Sequence, residues 1–231
     1  MNWPTDFLNK IICGDCLEIM RQMPDESVDL CIADPPFNVG KNYGKTTNDK
    51  QSHADYWAWL KDRLIEIYRL LKENSRLYIF HTDIGVFQLK PLCELIGFRY
   101  SQTLIWYGPN LVGSRGRISK DWHCMHENIL LFYKGKRTPM LSTHESNCYS
   151  VQVCVRPQSN FKGGRDHPAQ KPSKLLNSLI SRSPGQVILF PFLGSGVDTR
   201  AAKDHHRDFV GIEINSDYCE IAEERLAQGV L

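Results

Sequence analysis

No stretch of the 231 residues approaches the ~18 uninterrupted apolar residues of a membrane span. The first ten, Met1 to Lys10, lack the basic stretch and apolar run of a secretory signal. A cytoplasmic, soluble protein without a membrane partner is therefore expected, and its eight dispersed cysteines are expected to be reduced. Only Cys13 and Cys16 form a CxxC, which is half a zinc site without a second pair. His123, Cys124 and His126 lie close in sequence, yet no further ligand stands at a metal-site spacing, so no metal is expected. A Pro-Cys nucleophile motif is absent as well, which argues against covalent cysteine chemistry. Net charge is nearly absent, at +2 from 28 basic and 26 acidic residues, and the total identifies no partner.

The near-neutral total hides an uneven distribution. From Asn110 to Lys174 there are eleven basic and four acidic residues, a net of +7; the remaining 17 basic and 22 acidic residues carry −5. A basic segment on an acidic body suggests a polyanion binding there, through Arg115, Arg117, Lys120, Lys134, Lys136 and Arg137. The length fits one α/β domain, residues 1–231, with an inserted basic region over 110–164.

Strand and helix patterns alternate along the chain. Lys10 to Cys13 is a short apolar run, Asp15 to Met23 reads as a helix, and Val28 to Ala33 is a buried-type strand. Tyr56 to Leu71 has the spacing of a long amphipathic helix, with Trp57, Trp59 and Tyr68 expected in the core, and Arg76 to Phe80 follows as a strand. Further strands are predicted over Gln102 to Tyr107, Ile129 to Tyr133, Gln186 to Phe190 and Phe209 to Ile214. Helices are predicted over Ser173 to Ser181, Val197 to Lys203 and Asp217 to Ala227. This is the order of a Rossmann-like, doubly wound, mostly parallel sheet, whose ligands bind at the carboxyl ends of its strands.

Two strand ends carry unusual chemistry. After Val28 to Ala33 stands Asp34-Pro35-Pro36-Phe37. Consecutive prolines stiffen the backbone and remove N–H donors, leaving carbonyls beside one carboxylate and one aromatic face. That set can accept hydrogen bonds from an amine and stack on a planar ring, as an extruded base requires. After Gln186 to Phe190 stands Pro191-Phe192-Leu193-Gly194-Ser195-Gly196, opening a helix. Its glycines let backbone approach a ligand, and Glu213, 17 residues beyond Gly196, stands where a ribose diol is held in Rossmann-like sites. Thr199 replaces the third glycine of GxGxxG, which favours a nucleoside ligand without a pyrophosphate.

In that order, together with Ile12-Cys13-Gly14-Asp15-Cys16, His126-Glu127-Asn128-Ile129-Leu130 and His167-Pro168-Ala169-Gln170-Lys171-Pro172, these motifs resemble the beta-arrangement N6-adenine/N4-cytosine DNA methyltransferases, with the DPPF catalytic motif. The resemblance implies an S-adenosylmethionine cofactor, a DNA substrate and a possible homodimer. It implies that Asp34 and the Pro35 carbonyl hold the target amine, with Pro36 and Phe37 completing the catalytic box. Asp15 and Cys16 are implied near the cofactor's adenine, Glu213 at its ribose, and Pro191, Phe192, Gly194, Ser195 and Gly196 in the loop around it. Gln170 and Lys171 are implied near its methionine end, and 110–164 is implied as the target-recognition region.

The chain departs from the family at two places. Phe190 stands where the family usually has an acid that helps hold the cofactor's ammonium, and Val197-Asp198 replaces the usual Thr-Thr. Asp198 is placed to repel the cofactor's carboxylate, and Phe190→Asp is expected to restore affinity if the missing acid is a defect. An acid at position 34 usually accompanies adenine chemistry, so adenine N6 is the expected target. Cytosine N4, an RNA or protein-amide substrate, and a catalytically silent DNA-binding relative are the alternatives.

Overall fold

The computed structural model describes residues 1–41, 49–110, 122, 124–141, 149–157 and 170–227. Arg115, Arg117, Lys120, His123 and His167 to Ala169 lie outside the described residues. The first half of the chain gives β1 (Lys10–Cys13), α1 (Cys16–Met20), β2 (Val28–Ala33), α2 (His53–Leu70), β3 (Leu71–His81) and α3 (Val86–Ile96). The second gives β4 (Arg99–Tyr107), β5 (His126–Tyr133), β6 (Val151–Val153), α4 (Ser173–Ser181), β7 (Val187–Phe190), α5 (Val197–Asp204), β8 (Asp208–Glu213) and α6 (Ser216–Ala227). The eight strands form one sheet in the order β1-β8-β7-β2-β3-β5-β4-β6.

Side-chain alternation along the strands builds the two faces. Cys31, Ala33, Leu77 and Ile79 pack with residues of α1, α2 and α3, whereas Leu30, Ile32, Tyr78 and Phe80 pack with residues of α4, α5 and α6. The helices supply matching stripes. Leu60, Leu64, Ile67 and Leu70 of α2 are all fully buried, each contributing about 1.5–3 kcal/mol of burial energy. Ser52 caps α2, its side chain accepting from Asp55 N–H.

The sequence assigned no element between Phe80 and Gln102. In the structure α3 fills that interval despite Pro91 within it, and ends where Gly97 takes φ 122° and closes onto Cys93 O. A proline inside the helix masks the pattern that tertiary packing of Leu89 and Cys93 then sustains. Two strands of the region expected as an insertion, 110–164, join the main sheet. β5 pairs antiparallel with both β3 and β4, and β6 pairs with β4, so both belong to the main sheet.

β2 and β7 are neighbours, and the chain leaves them in opposite directions: through α2 to β3 on one side and through α5 to β8 on the other. Such a switch point opens a crevice at the carboxyl ends of the two strands. The two motif-bearing loops leave those two ends.

Candidate active site at the carboxyl edge of the sheet

The crevice encloses about 1020 Å³ of empty space, counting its open mouth. Asp15, Cys16, Asp34, Pro36, Gln170, Lys171, Pro191, Phe192, Gly194, Ser195 and Glu213 all line it, which brings together residues from five separate parts of the chain.

The nucleoside half of the crevice is organised by Glu213 at the end of β8. Its carboxylate accepts from Gly194 N–H at 2.7 Å and Asn215 N–H at 2.9 Å, so one side chain fixes the glycine loop and the turn into α6. Burial raises its pKa against those opposing backbone donors. Gly196 adopts φ 77°, and a Cβ there would stand 2.6 Å from the Ala222 Cβ, so this glycine lets the loop dock on α6. Ser195 is fastened from the other side by Arg225, which donates to its carbonyl at 2.6 Å and its hydroxyl at 3.0 Å. Apolar walls come from Phe192 and Trp59, whose rings lie 5.8 Å apart, and suit a planar purine. Trp59, expected in the core, packs partly buried against it and also borders the crevice, with the Arg63 guanidinium over its ring at 4.2 Å.

Asp15 caps α1 by accepting from Leu17 N–H at 2.7 Å, and is held by Arg63 Nη2 at 2.7 and 3.0 Å. Arg63 lies on α2, 48 residues away, and no motif pointed to it. Burial drives the neighbouring Cys16 thiol up to about 12, so it stays protonated and serves as crevice wall.

At the end of β2, the Lys171 ammonium sits 2.8 Å from Asp34 Oδ2 and 2.9 Å from Glu127 Oε2. The rings of Phe80, Phe37 and Trp106 surround it at 4.9, 5.4 and 5.8 Å. Burial alone would lower the lysine pKa; Asp34 and Glu127 outweigh it and hold Lys171 charged. Burial raises Asp34, opposed by Lys171 and reinforced by Glu127. Two carboxylates thus share one cation. Lys171, expected near a methionine end, lines the crevice with its ammonium held by Asp34 and Glu127. Glu127 is a site residue that the sequence offered only as part of a motif match.

The Pro-Pro carbonyls are not equivalent. Thr82 N–H donates to His81 Nδ1 at 2.9 Å, so the ring proton lies on Nε2, which faces Tyr56 Oη at 2.9 Å. Tyr56 in turn donates to the Pro36 carbonyl at 2.9 Å. Pro36 is therefore anchored, while the Pro35 carbonyl accepts no hydrogen bond among the described residues. Desolvation lowers His81 to about 4, keeping it neutral, and its ring stacks on Phe37 at 5.2 Å. Beyond Phe37, the Asp49 carboxylate gathers Asn38, Val39 and Lys41 N–H groups at 2.7, 3.2 and 2.6 Å, stiffening the motif from behind.

Several expected positions fall elsewhere. Lys134 is buried, donates to Leu71 O at 2.7 Å and pairs with Glu26 at 3.3 Å, so it is part of the fold and not a polyanion contact. Lys136 and Arg137 are exposed, but they follow the end of antiparallel β5, at the edge of the sheet opposite Asp34. The five strand steps from Asn128 to Tyr133 amount to about 17 Å. Phe190 is 1% exposed in the core on the α4–α6 face, so an acid there would be a buried unpaired charge. The expected gain from Phe190→Asp is replaced by an expected loss of folding. Asp83 joins Cys124 and His126, with one potential ligand atom from each within 4.8 Å of the others. Sequence spacing concealed that third residue, 41 positions before Cys124; its Oδ1 meets His126 Nε2 at 2.9 Å and Asn128 Nδ2 at 2.6 Å.

Comparison with known proteins decides what this arrangement belongs to. The sequence pattern of the N6/N4 DNA methylase family matches residues 28–224. The chain belongs to this family. It is 30% identical to the type II methyltransferase M.HpaI of Haemophilus parainfluenzae, over 94% of this chain and 74% of that protein. To the DNA adenine methyltransferase YhdJ of Escherichia coli strain K12 it is 29% identical, over 96% of this chain and 85% of the relative. Among solved structures, the M1.HpyAVI–SAM complex superposes with a TM-score of 0.73 at 23% identity, covering 95% of this chain and 99% of that one. The cytosine-N4-specific PvuII DNA methyltransferase gives 0.81 at 18%, covering 96% and 87%. The fold is the Rossmann-like methyltransferase fold, and the chain is an S-adenosylmethionine-dependent DNA methyltransferase. Among the described residues no helix is long and apolar enough to cross a membrane.

Proposed function

We propose that the chain methylates the N6 amine of adenine in DNA, with the target base seated at Asp34 and the cofactor in the adjoining crevice. The observation that carries this reading is the cluster of buried Lys171 with half-buried Asp34 and Glu127, opening into the same crevice as Glu213 and the glycine loop. The residues fit the cofactor: a carboxylate for a ribose diol, apolar walls for a purine, and an acidic interior for a cationic ligand.

When bound, S-adenosylmethionine supplies an electrophilic methyl group on a sulfonium. The protein's task is to improve a poor nucleophile, since an aromatic amine delocalises its lone pair into the ring. Lys171 occupies Asp34 Oδ2, which leaves Oδ1 to accept one amine hydrogen; the Pro35 carbonyl accepts the other. Taking both hydrogens favours sp³ character and aims the lone pair across the crevice. Phe37, braced by His81, stacks on the base. Asp34 then accepts the proton as the methylated amine forms, and the adjacent Lys171 ammonium limits the charge change in the cluster.

An acid at position 34 supports adenine, and the name of the YhdJ relative points the same way. A carboxylate is a stronger acceptor than a reorientable hydroxyl. Arg115, Arg117 and Lys120 are proposed to contact DNA phosphates. Digesting DNA methylated by the purified protein and separating its nucleosides by mass tests the target. N6-methyladenine is the expected product; N4-methylcytosine alone overturns the base assignment, and no modified nucleoside at saturating cofactor overturns the activity.

A further inference from the structure

Four carboxylates line the crevice: Asp15, Asp34, Asp198 and Glu213. Three are engaged. Asp15 is paired with Arg63, Asp34 with Lys171, and Glu213 with two backbone N–H groups. Asp198, in the first turn of α5, has no partner among the described residues beyond its own backbone N–H. With Arg63 and Lys171 as the only crevice-lining cations among the described residues, the cavity carries two more negative than positive side chains.

An unengaged carboxylate on the wall of a preformed cavity calls for a cation from the ligand. The cofactor offers two, the sulfonium and the α-ammonium of its methionine part. The sulfonium must face the target amine beside Asp34, and the nucleoside end is claimed by Glu213 at the far strand. The ammonium remains. Phe190 lies in the core, so the strand end before the loop supplies no acid of its own. We propose that Asp198 is the acceptor for the cofactor's α-ammonium, so that an acid on the helix takes the place of an acid on the strand. This rests on the crevice being the cofactor site. It also reverses the expectation from sequence, in which Asp198 repels the methionine carboxylate.

The electrostatics of the free protein agree. Burial and, after it, the Asp34 charge raise Asp198 to about 7, against the opposing Lys171 and Arg225. Those groups come from the end of β2, the segment before α4, and α6. A cation docking on Asp198 lowers that value, so cofactor binding expels the proton that Asp198 holds below about pH 7. Affinity accordingly rises with pH up to about 7.

Calorimetry at about pH 6 in two buffers of different ionisation enthalpy tests this directly, because an α-amino group (~8) is then charged both free and bound. The probes are S-adenosylhomocysteine, which keeps the ammonium without the sulfonium, and 5′-methylthioadenosine, which lacks the amino-acid part. Wild type should release close to one proton with the first and none with the second. D198N should abolish the release and bind S-adenosylhomocysteine roughly ten- to a hundredfold more weakly at pH 8, while binding 5′-methylthioadenosine unchanged. Equal or tighter binding of S-adenosylhomocysteine by D198N overturns the assignment and restores the repulsive role. E213A is the companion variant: if it leaves affinity for both probes unchanged, the crevice itself is not the cofactor site. If E213A weakens both while D198N weakens neither, only the Asp198 inference fails.

Discussion

The two edges of the sheet treat buried charge in opposite ways. At the amino edge, Asp29 accepts Val187 and Gln186 N–H at 2.9 and 3.1 Å and Lys72 Nζ at 2.9 Å. Arg76, 1% exposed, donates to Thr138 O at 2.8 Å and Pro139 O at 2.6 Å, and Lys134 donates to Leu71 O. Asp29, Arg76 and Lys134 each bond to backbone there, which is fixed and cannot be exchanged. At the carboxyl edge, Asp34 and Glu127 share the Lys171 ammonium in direct contact, and Asp34, Lys171 and Asp198 line the cavity. The pKa directions record the contrast. Burial would raise Asp29, but its backbone donors and Lys72 outweigh burial and hold it low; Asp34, Asp198 and Glu213 all stand high. One edge uses charge to hold the fold. The other keeps charge in reserve for a ligand.

Crossing roles between the edges should separate activity from stability. The largest effect belongs to Asp34→Ala, expected to lower methyl transfer by about 10³-fold or more by removing the acceptor of the amine hydrogen. Cofactor affinity, read by calorimetry, should stay within about twofold, since other carboxylates hold that ligand; equal loss of both would erase the division of labour within the crevice. At the other edge, Asp29→Ala should cost about 1–2 kcal/mol of stability by removing the acceptor of the part-buried Val187 N–H, the exposed Gln186 N–H and the half-exposed Lys72. Turnover per folded molecule should not change. Because Asp29 is depressed in the fold, its contribution is present above the unfolded carboxylate range (~4) and is lost as pH falls through its lower folded value. Denaturant melts of wild type and variant should therefore converge in strong acid.

Glu213→Ala should weaken cofactor binding by about 1–3 kcal/mol, through a lost charged acceptor and a loosened glycine loop. Lys171→Met removes the group that lowers Asp34, so the acidic limb of the pH–rate profile should move to higher pH. An unmoved limb would show that Asp34 does not govern it. The smallest effect is expected from neutralising Lys136 and Arg137, which should leave the salt dependence of DNA binding unchanged because they sit at the far edge. Neutralising Arg115 and Arg117 should flatten that slope by up to ~0.9 per lost phosphate contact. The reverse result would place DNA on the amino edge.

What the sequence determined by itself is the framework. β1, β2 and α4 lie where periodicity placed them, because short buried strands and a four-leucine or isoleucine stripe need only local alternation to be recognised. DPPF and the glycine loop were legible for a similar reason: proline and glycine act on their own backbone, whatever surrounds them. Partnership was left to the tertiary structure. Arg63 reaches Asp15 across 48 residues, His81 reaches Tyr56 across 25, and Lys171 meets Glu127 on a strand inserted antiparallel into the sheet. Lys134 counted as a positive charge in sequence and became a buried structural donor in the fold. Charge is additive along a chain, but its role depends on what lies within a few ångströms, and only the folded sheet decides that.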